Sequence, residues 1–323
     1  MSTQRIGRIL AVTLALAFAV YGQPHDKLLV AIAQGDRQLQ IFKVEGTTLT
    51  LLKKVPAGAA REVCISTDGR LAYSSNDKDN NVTVVDLESL QATATIALPG
   101  LERPDGCATS PDSKKLYVAA SESETVAIIS TQTNKVIKQV KVGKEPRRVV
   151  FSPDKTLIYV SSEVSDEITI LNAATDTVIG KMKSGGQGPR TMVFLPDNKT
   201  MLVTNVDDDT VSLLTAAEKK VTLTIGAGGS PQRLALSADA QTAYVLAVLE
   251  SKISMIDLKG PHIRAKTFMP VGKAPWGMTM SDDHKLLFVG SSGENTVTAY
   301  DTATMKAVAK VTMNHPTGIA FRP

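Results

Sequence analysis

Seven residues at equivalent places along this chain carry most of its potential chemistry. They are Arg61, Asp105, Arg147, Arg190, Gln232, Trp276 and Thr317. Six of them follow a proline and Arg61 follows an alanine, and each opens a short strand-like segment. If those segments line one axis, three arginines and the only tryptophan converge on one opening. Three arginines against one aspartate leave a charge of +2 in a partly desolvated place. A guanidinium fork fits a carboxylate or phosphate, and an indole fits a flat apolar body. The residue types therefore point to a binding mouth for a small anionic molecule or an acidic protein partner. A second reading has the arginines pair with Asp105, Glu145 or Glu163 and plug the opening.

Other chemistry is thinly represented. His25, His262, His284 and His315 share no ligand spacing, so no metal site is expected. Asp207, Asp208 and Asp209 have the type for calcium, but consecutive loop acids are usually just solvated. No Cys-x-x-Cys-His run, Gly-rich phosphate loop or Ser nucleophile elbow occurs, and no cofactor is expected. The net charge is +4 and the pI about 8.9, partly from the N-terminal segment. One aromatic among seven mouth positions is too few for base stacking, so nucleic acid is not an expected partner.

The elements that must position these residues form a repeat. A turn aspartate returns at Asp68, Asp112, Asp154, Asp197, Asp239 and Asp283, a period of about 43 residues. Five positions on stand Tyr73, Tyr117, Tyr159, Leu202, Tyr244 and Phe288. The 145–182 copy reads as four strands: 149–151, 157–161, 168–171 and 178–182. Turn residues separate them, and no helical period follows residue 25. Four antiparallel strands in about 43 residues is one propeller blade. Six full repeats start at Ala60, Pro104, Pro146, Pro189, Pro231 and Pro275. Residues 28–33, 39–43 and 49–55 supply three further strands, and 315–323 ends the chain with a single first strand. The expected fold is all-β: a seven-bladed β-propeller whose last blade joins one C-terminal strand to three N-terminal ones.

Residues 1–22 read as a signal peptide. Arg5 and Arg8 precede an apolar run from Ile9 to Val20, and Ala17-Phe18-Ala19 fits a cleavage site. That run is short for a membrane span. A single propeller domain over 23–323 is expected outside the cytoplasm, periplasmic or secreted, monomeric and without stable membrane insertion. Cys64 and Cys107 fall on the first strands of consecutive blades, pointing to opposite faces of their own sheets. They could meet across the blade interface or point apart; the reading favours two buried thiols, although an oxidising compartment permits a bridge.

Tyr117-Val118-Ala119-Ala120, Tyr159-Val160-Ser161-Ser162 and Leu202-Val203-Thr204-Asn205 resemble the YVTN-type repeat of seven-bladed propellers. That resemblance covers about residues 27–323 and implies a fold shared by binding scaffolds, surface-layer proteins and enzymes. A narrower one lies in Pro146-Arg147-Arg148, with Glu163 sixteen residues beyond Arg147, which looks like the lactonase and carboxymuconate-cyclase propellers. It implies catalytic roles for Arg147 and Glu163, and for Arg190 or Arg233. The family's histidine is missing: Asp105-Gly106 and Arg148 stand in its place. Asp105 is then the titratable candidate, and arginines around it would hold it ionised. The sequence reading therefore favours a binding or scaffold module with no catalytic residue of its own and no turnover of simple lactones. A lactonase-like enzyme using Arg147, Glu163 and Asp105 is the alternative.

Overall fold

A computed structural model describes residues 26–260 and 262–322. The proposed signal peptide and His25 lie outside the described residues. The chain forms seven four-stranded antiparallel sheets, as expected. Strands are numbered in chain order. The innermost of each blade are β4 (Ala60–Ile65), β8 (Pro104–Thr109), β12 (Pro146–Phe151), β16 (Pro189–Phe194), β20 (Pro231–Leu236), β24 (Pro275–Met280) and β28 (Pro316–Arg322). Each touches the next around a closed circle, and β28 touches β4.

Closure is as the two ends of the sequence implied. The seventh blade has the order β28, β1 (Leu28–Ala33), β2 (Gln38–Glu45), β3 (Thr48–Pro56). Leu29, Val30 and Ala31 pair with Phe321, Ala320 and Ile319. The core is a set of seven apolar layers between blades. Tyr73, Tyr117 and Phe288 anchor three of them, essentially without exposure. Their burial follows from the period-2 alternation of each second strand, which sends alternate residues into one interface or the other.

The recurrent aspartate ends the first strand for a local reason. In the copy at Ser152-Pro153-Asp154, the Ser152 hydroxyl donates to the carboxylate, which also accepts from the Thr156 backbone N–H. The intervening Lys155 sits at φ 64°, so the side-chain bonds stabilise a left-handed turn in a non-glycine residue.

Cys64 and Cys107 are bridged, with Cα atoms 5.8 Å apart. The expectation of two free thiols is therefore corrected. The two sheets pack face to face, and the outward face of one first strand meets the opposite face of the next. Both side chains lie in the same inter-blade layer as Tyr73 and Leu116. Among the described residues, no helix is long and apolar enough to cross a membrane.

Candidate functional site

All seven predicted mouth residues open innermost strands, and a bulge is what aims them. Pairing with the second strand shifts register between Pro146 and Arg148, between Ala60 and Glu62, and between Pro231 and Arg233. The extra residue in each bulge lets two consecutive side chains approach the axis instead of one. Neighbouring blades then fix the backbone. The hydroxyls of Ser75 and Ser161 donate to the carbonyls of Asp105 and Arg190, each in the following blade. Thr191 does the same for Gln232 at 2.8 Å. At Gly106 the Arg147 carbonyl comes so close that a Cβ would collide with it. The small and hydroxyl residues of the repeat phrase thus set the positions of the charged ones.

The upper tier is a continuous network. Glu163, just past strand β13 (Leu157–Ser162), accepts two bonds from Arg147, from Nε at 2.9 Å and from Nη2 at 3.0 Å. It also accepts from Arg190 Nε at 2.6 Å. Arg147 reaches Asp105 at 3.2 Å and Glu145 at 2.5 Å. Arg61 lies 3.4 Å from Asp105 and 3.6 Å from Asp77. Arg190 Nη1 donates to Gln232. Five of the seven predicted residues are thereby linked. Trp276 and Thr317 are not: the indole is exposed, and the Thr317 hydroxyl is buried without a partner.

A second tier of charges crosses the axis. Glu62 receives Arg148 and Arg233, the latter at 2.6 Å. These side chains come from blades that are not neighbours, so they meet across the channel. Sequence reasoning missed Glu62 as a site residue. Its signal was available: Glu62, Arg148 and Arg233 are charges inside short strands, each directly after a mouth position.

The charge balance differs from expectation. Arg61, Arg147, Arg190, Arg148 and Arg233 give five positive charges, and Asp77, Asp105, Glu145, Glu163 and Glu62 give five negative ones. With every acid ionised the net is zero rather than +2, and the Glu62 carboxyl lies above its ordinary value because burial outweighs the pull of Arg148. Burial alone would push the Asp105 carboxyl up, but Arg61, Arg148, Arg190 and Arg147 bring it below its ordinary value. Glu163 behaves alike: burial raises it, and Arg190 and Arg147 more than compensate. Burial also opposes the charge of Arg147, yet Asp105, Glu163 and Glu145 make it hold its proton more firmly than usual. Both carboxylates are ionised near neutrality, and the expectation for Asp105 agrees.

Asp208 and Asp209 accept backbone N–H bonds from Gln187 and Ser230. They order the loops between blades, and among the described residues no group of three acids, histidines or cysteines could hold a metal ion. A cleft of about 560 Å³ opens beside Arg61 and Asp77 toward Lys78, Arg103 and Glu122, on the rim rather than the axis.

The fold and this charged network define a seven-bladed propeller whose central channel is crossed by buried ion pairs. The chain belongs to the lactonase family of seven-bladed β-propellers, whose model matches residues 17–183, just over half of its 323. No curated protein matches. Among solved structures, the periplasmic gluconolactonase of Pseudomonas aeruginosa superposes with a TM-score of 0.75 at 16% identity, covering 92% of this chain and 99% of that one. A functionally unknown protein from Desulfotomaculum acetoxidans gives 0.78 at 15% identity, covering 91% and 98%. Hydrazine synthase of Kuenenia stuttgartiensis gives 0.71 at 22% identity, covering 80% and 88%. At these identities the structures speak to the fold alone. Membership of the lactonase family overturns the expected binding or scaffold role. The missing histidine had weighed against that family.

Proposed function

We propose that this protein hydrolyses lactones at its central mouth. The observation that carries the reading is Glu163, ionised and clamped between Arg147 and Arg190, within a member of the lactonase family. The YVTN-type likeness of the repeats bears only on the fold, and the chemistry is argued from these residues.

Ring opening needs a base for water and a donor for the oxygen that gains charge. Glu163 is the base. Water oxygen bonds to the lactone carbonyl carbon, and its proton passes to the Glu163 carboxylate. The ring C–O bond then breaks, and the same proton goes to the departing ring oxygen. Arg190 donates from Nε and Nη1 to protein partners. Its Nη2 hydrogens are directed to the developing oxyanion. Asp105 holds Arg147 in place, and Arg147 and Arg190 keep Glu163 ionised. No histidine is required for this sequence of proton transfers.

Export to the periplasm or beyond is part of the proposal. The N-terminal signal-like segment supports it, and so does the Cys64–Cys107 bridge, which an oxidising compartment preserves. The test is acid release from simple lactones by purified protein above the spontaneous rate. A rate indistinguishable from background across γ- and δ-lactones would remove the proposal.

A further inference from the structure

We propose that the substrate is an uncharged lactone carrying an apolar substituent, which rests on Trp276 and Leu249 while the ring is opened beside Glu163. This rests on the lactone-hydrolysing reading above and names its substrate class.

Two observations lead there. The first is that every arginine of the cluster is already paired. A phosphorylated or carboxylated lactone needs a cationic surplus, and five arginines here already face five carboxylates. An added anion would compete with Glu163 and Asp105 for the same guanidinium groups.

The second is where exposed apolar surface lies. Apart from Val164, Leu249 and Trp276, every exposed large apolar side chain among the described residues is on the outermost strand of its blade. These three are on the mouth face. Val164 and Leu249 occupy the same place in blades two apart, where the backbone N–H donates to the loop entering the blade, at Lys144 and Gly229, and the blade between them holds Asp207 there, donating to Gln187, so Val164 stands apart. In the blades beside the rim cleft that place holds Lys78 and Glu122. Leu249 is 78% exposed and Val164 57%. Trp276 joins Leu249 from the next blade, at the mouth position itself, and is the most exposed of the seven mouth residues. The arc formed by Leu249 and Trp276 on adjacent blades is therefore apolar, and the rim is charged on the side of Asp207 and beside the cleft. An apolar group attached to a bound ring would lose water on the Leu249 and Trp276 arc only.

The experiment compares δ-valerolactone with δ-decalactone, which adds a pentyl chain to the same ring, and includes 6-phosphogluconolactone as the anionic arm. Acid release gives kcat/KM, and fluorescence reports binding directly because Trp276 is the sole tryptophan. We expect kcat/KM about tenfold higher for the decalactone, consistent with partial burial of a short alkyl chain. Trp276→Ala should collapse that ratio by about tenfold, and Leu249→Ser should lessen it; both sites are exposed, so folding is spared. Equal efficiency for the two neutral lactones, or preference for the phosphorylated one, overturns the inference and leaves lactone hydrolysis standing. A saturable shift of Trp276 emission by decalactone without acid release supports the apolar rim and removes the hydrolytic reading. An unmoved emission with no alkyl preference overturns the rim assignment.

Discussion

Replacing Arg147 by alanine perturbs the most heavily bonded side chain of the mouth. Arg147 is 6% exposed and pairs with Asp105, Glu145 and Glu163. Removing one partner of a buried ion pair costs about 3–5 kcal/mol, because a charge is left uncompensated. Here neither buried acid is fully orphaned. Asp105 keeps Arg61 at 3.4 Å, and Glu163 keeps Arg190 at 2.6 Å. The expected loss at pH 7 is therefore at the lower end, about 3 kcal/mol. Urea denaturation of wild type and Arg147→Ala measures it. Its pH dependence identifies the cause. In the wild type both carboxyls lie below their ordinary values, and losing Arg147 lets them rise. The difference should be full above the ordinary carboxylate range and shrink as pH falls through the depressed folded values. A loss below about 1 kcal/mol, or one that ignores pH, would refute the claim that buried charge pairing orders the mouth.

Three further outcomes follow from the structure. Depressed Asp105 and Glu163 stabilise the wild type fully above ordinary carboxylate values, so stability should fall only as pH drops below about 4, read from urea midpoints against pH; a loss that begins near neutrality would contradict the assignment. The Cys64–Cys107 bridge spans 43 residues, and loop-closure entropy gives an upper bound of about 4 kcal/mol. The Cys64→Ala/Cys107→Ala double variant should lose about 2–4 kcal/mol in the same assay, and no loss would argue that the bridge does not form. Deleting residues 316–323 removes β28, which pairs with β1 and packs on β4 and β24; the melting temperature should fall by many degrees, and an unchanged melt would contradict ring closure by the terminal strand.

The fold was legible because repetition makes it so. Six turn aspartates at a near-constant period fixed the blade, and the half-blades at the two ends fixed the count and the closure. The mouth residues were legible for the same reason, since one position in each repeat opens the innermost strand. What lay hidden depends on how blades are rotated against each other. Glu62, Arg148 and Arg233 meet only because bulges turn two successive residues inward, and a bulge leaves no mark on a period-2 pattern. The acids that pair with the arginines come from other strands and other blades, so counting one position gave three arginines against one acid where the cluster matches five with five. The bridge between Cys64 and Cys107 likewise depended on which sheet faces meet. Function was misread because the missing histidine was weighed above the retained Arg147–Glu163 pair.

The most direct test of the account is the rate of acid release from δ-valerolactone by wild type and by Glu163→Gln, each shown folded by its urea transition. Glutamine keeps the shape and both arginines but cannot accept the proton of water. The account predicts measurable hydrolysis by wild type and a loss of about a hundredfold or more in kcat for the variant, the usual contribution of a general base. An equal rate in the two proteins, or none in the wild type, would contradict it.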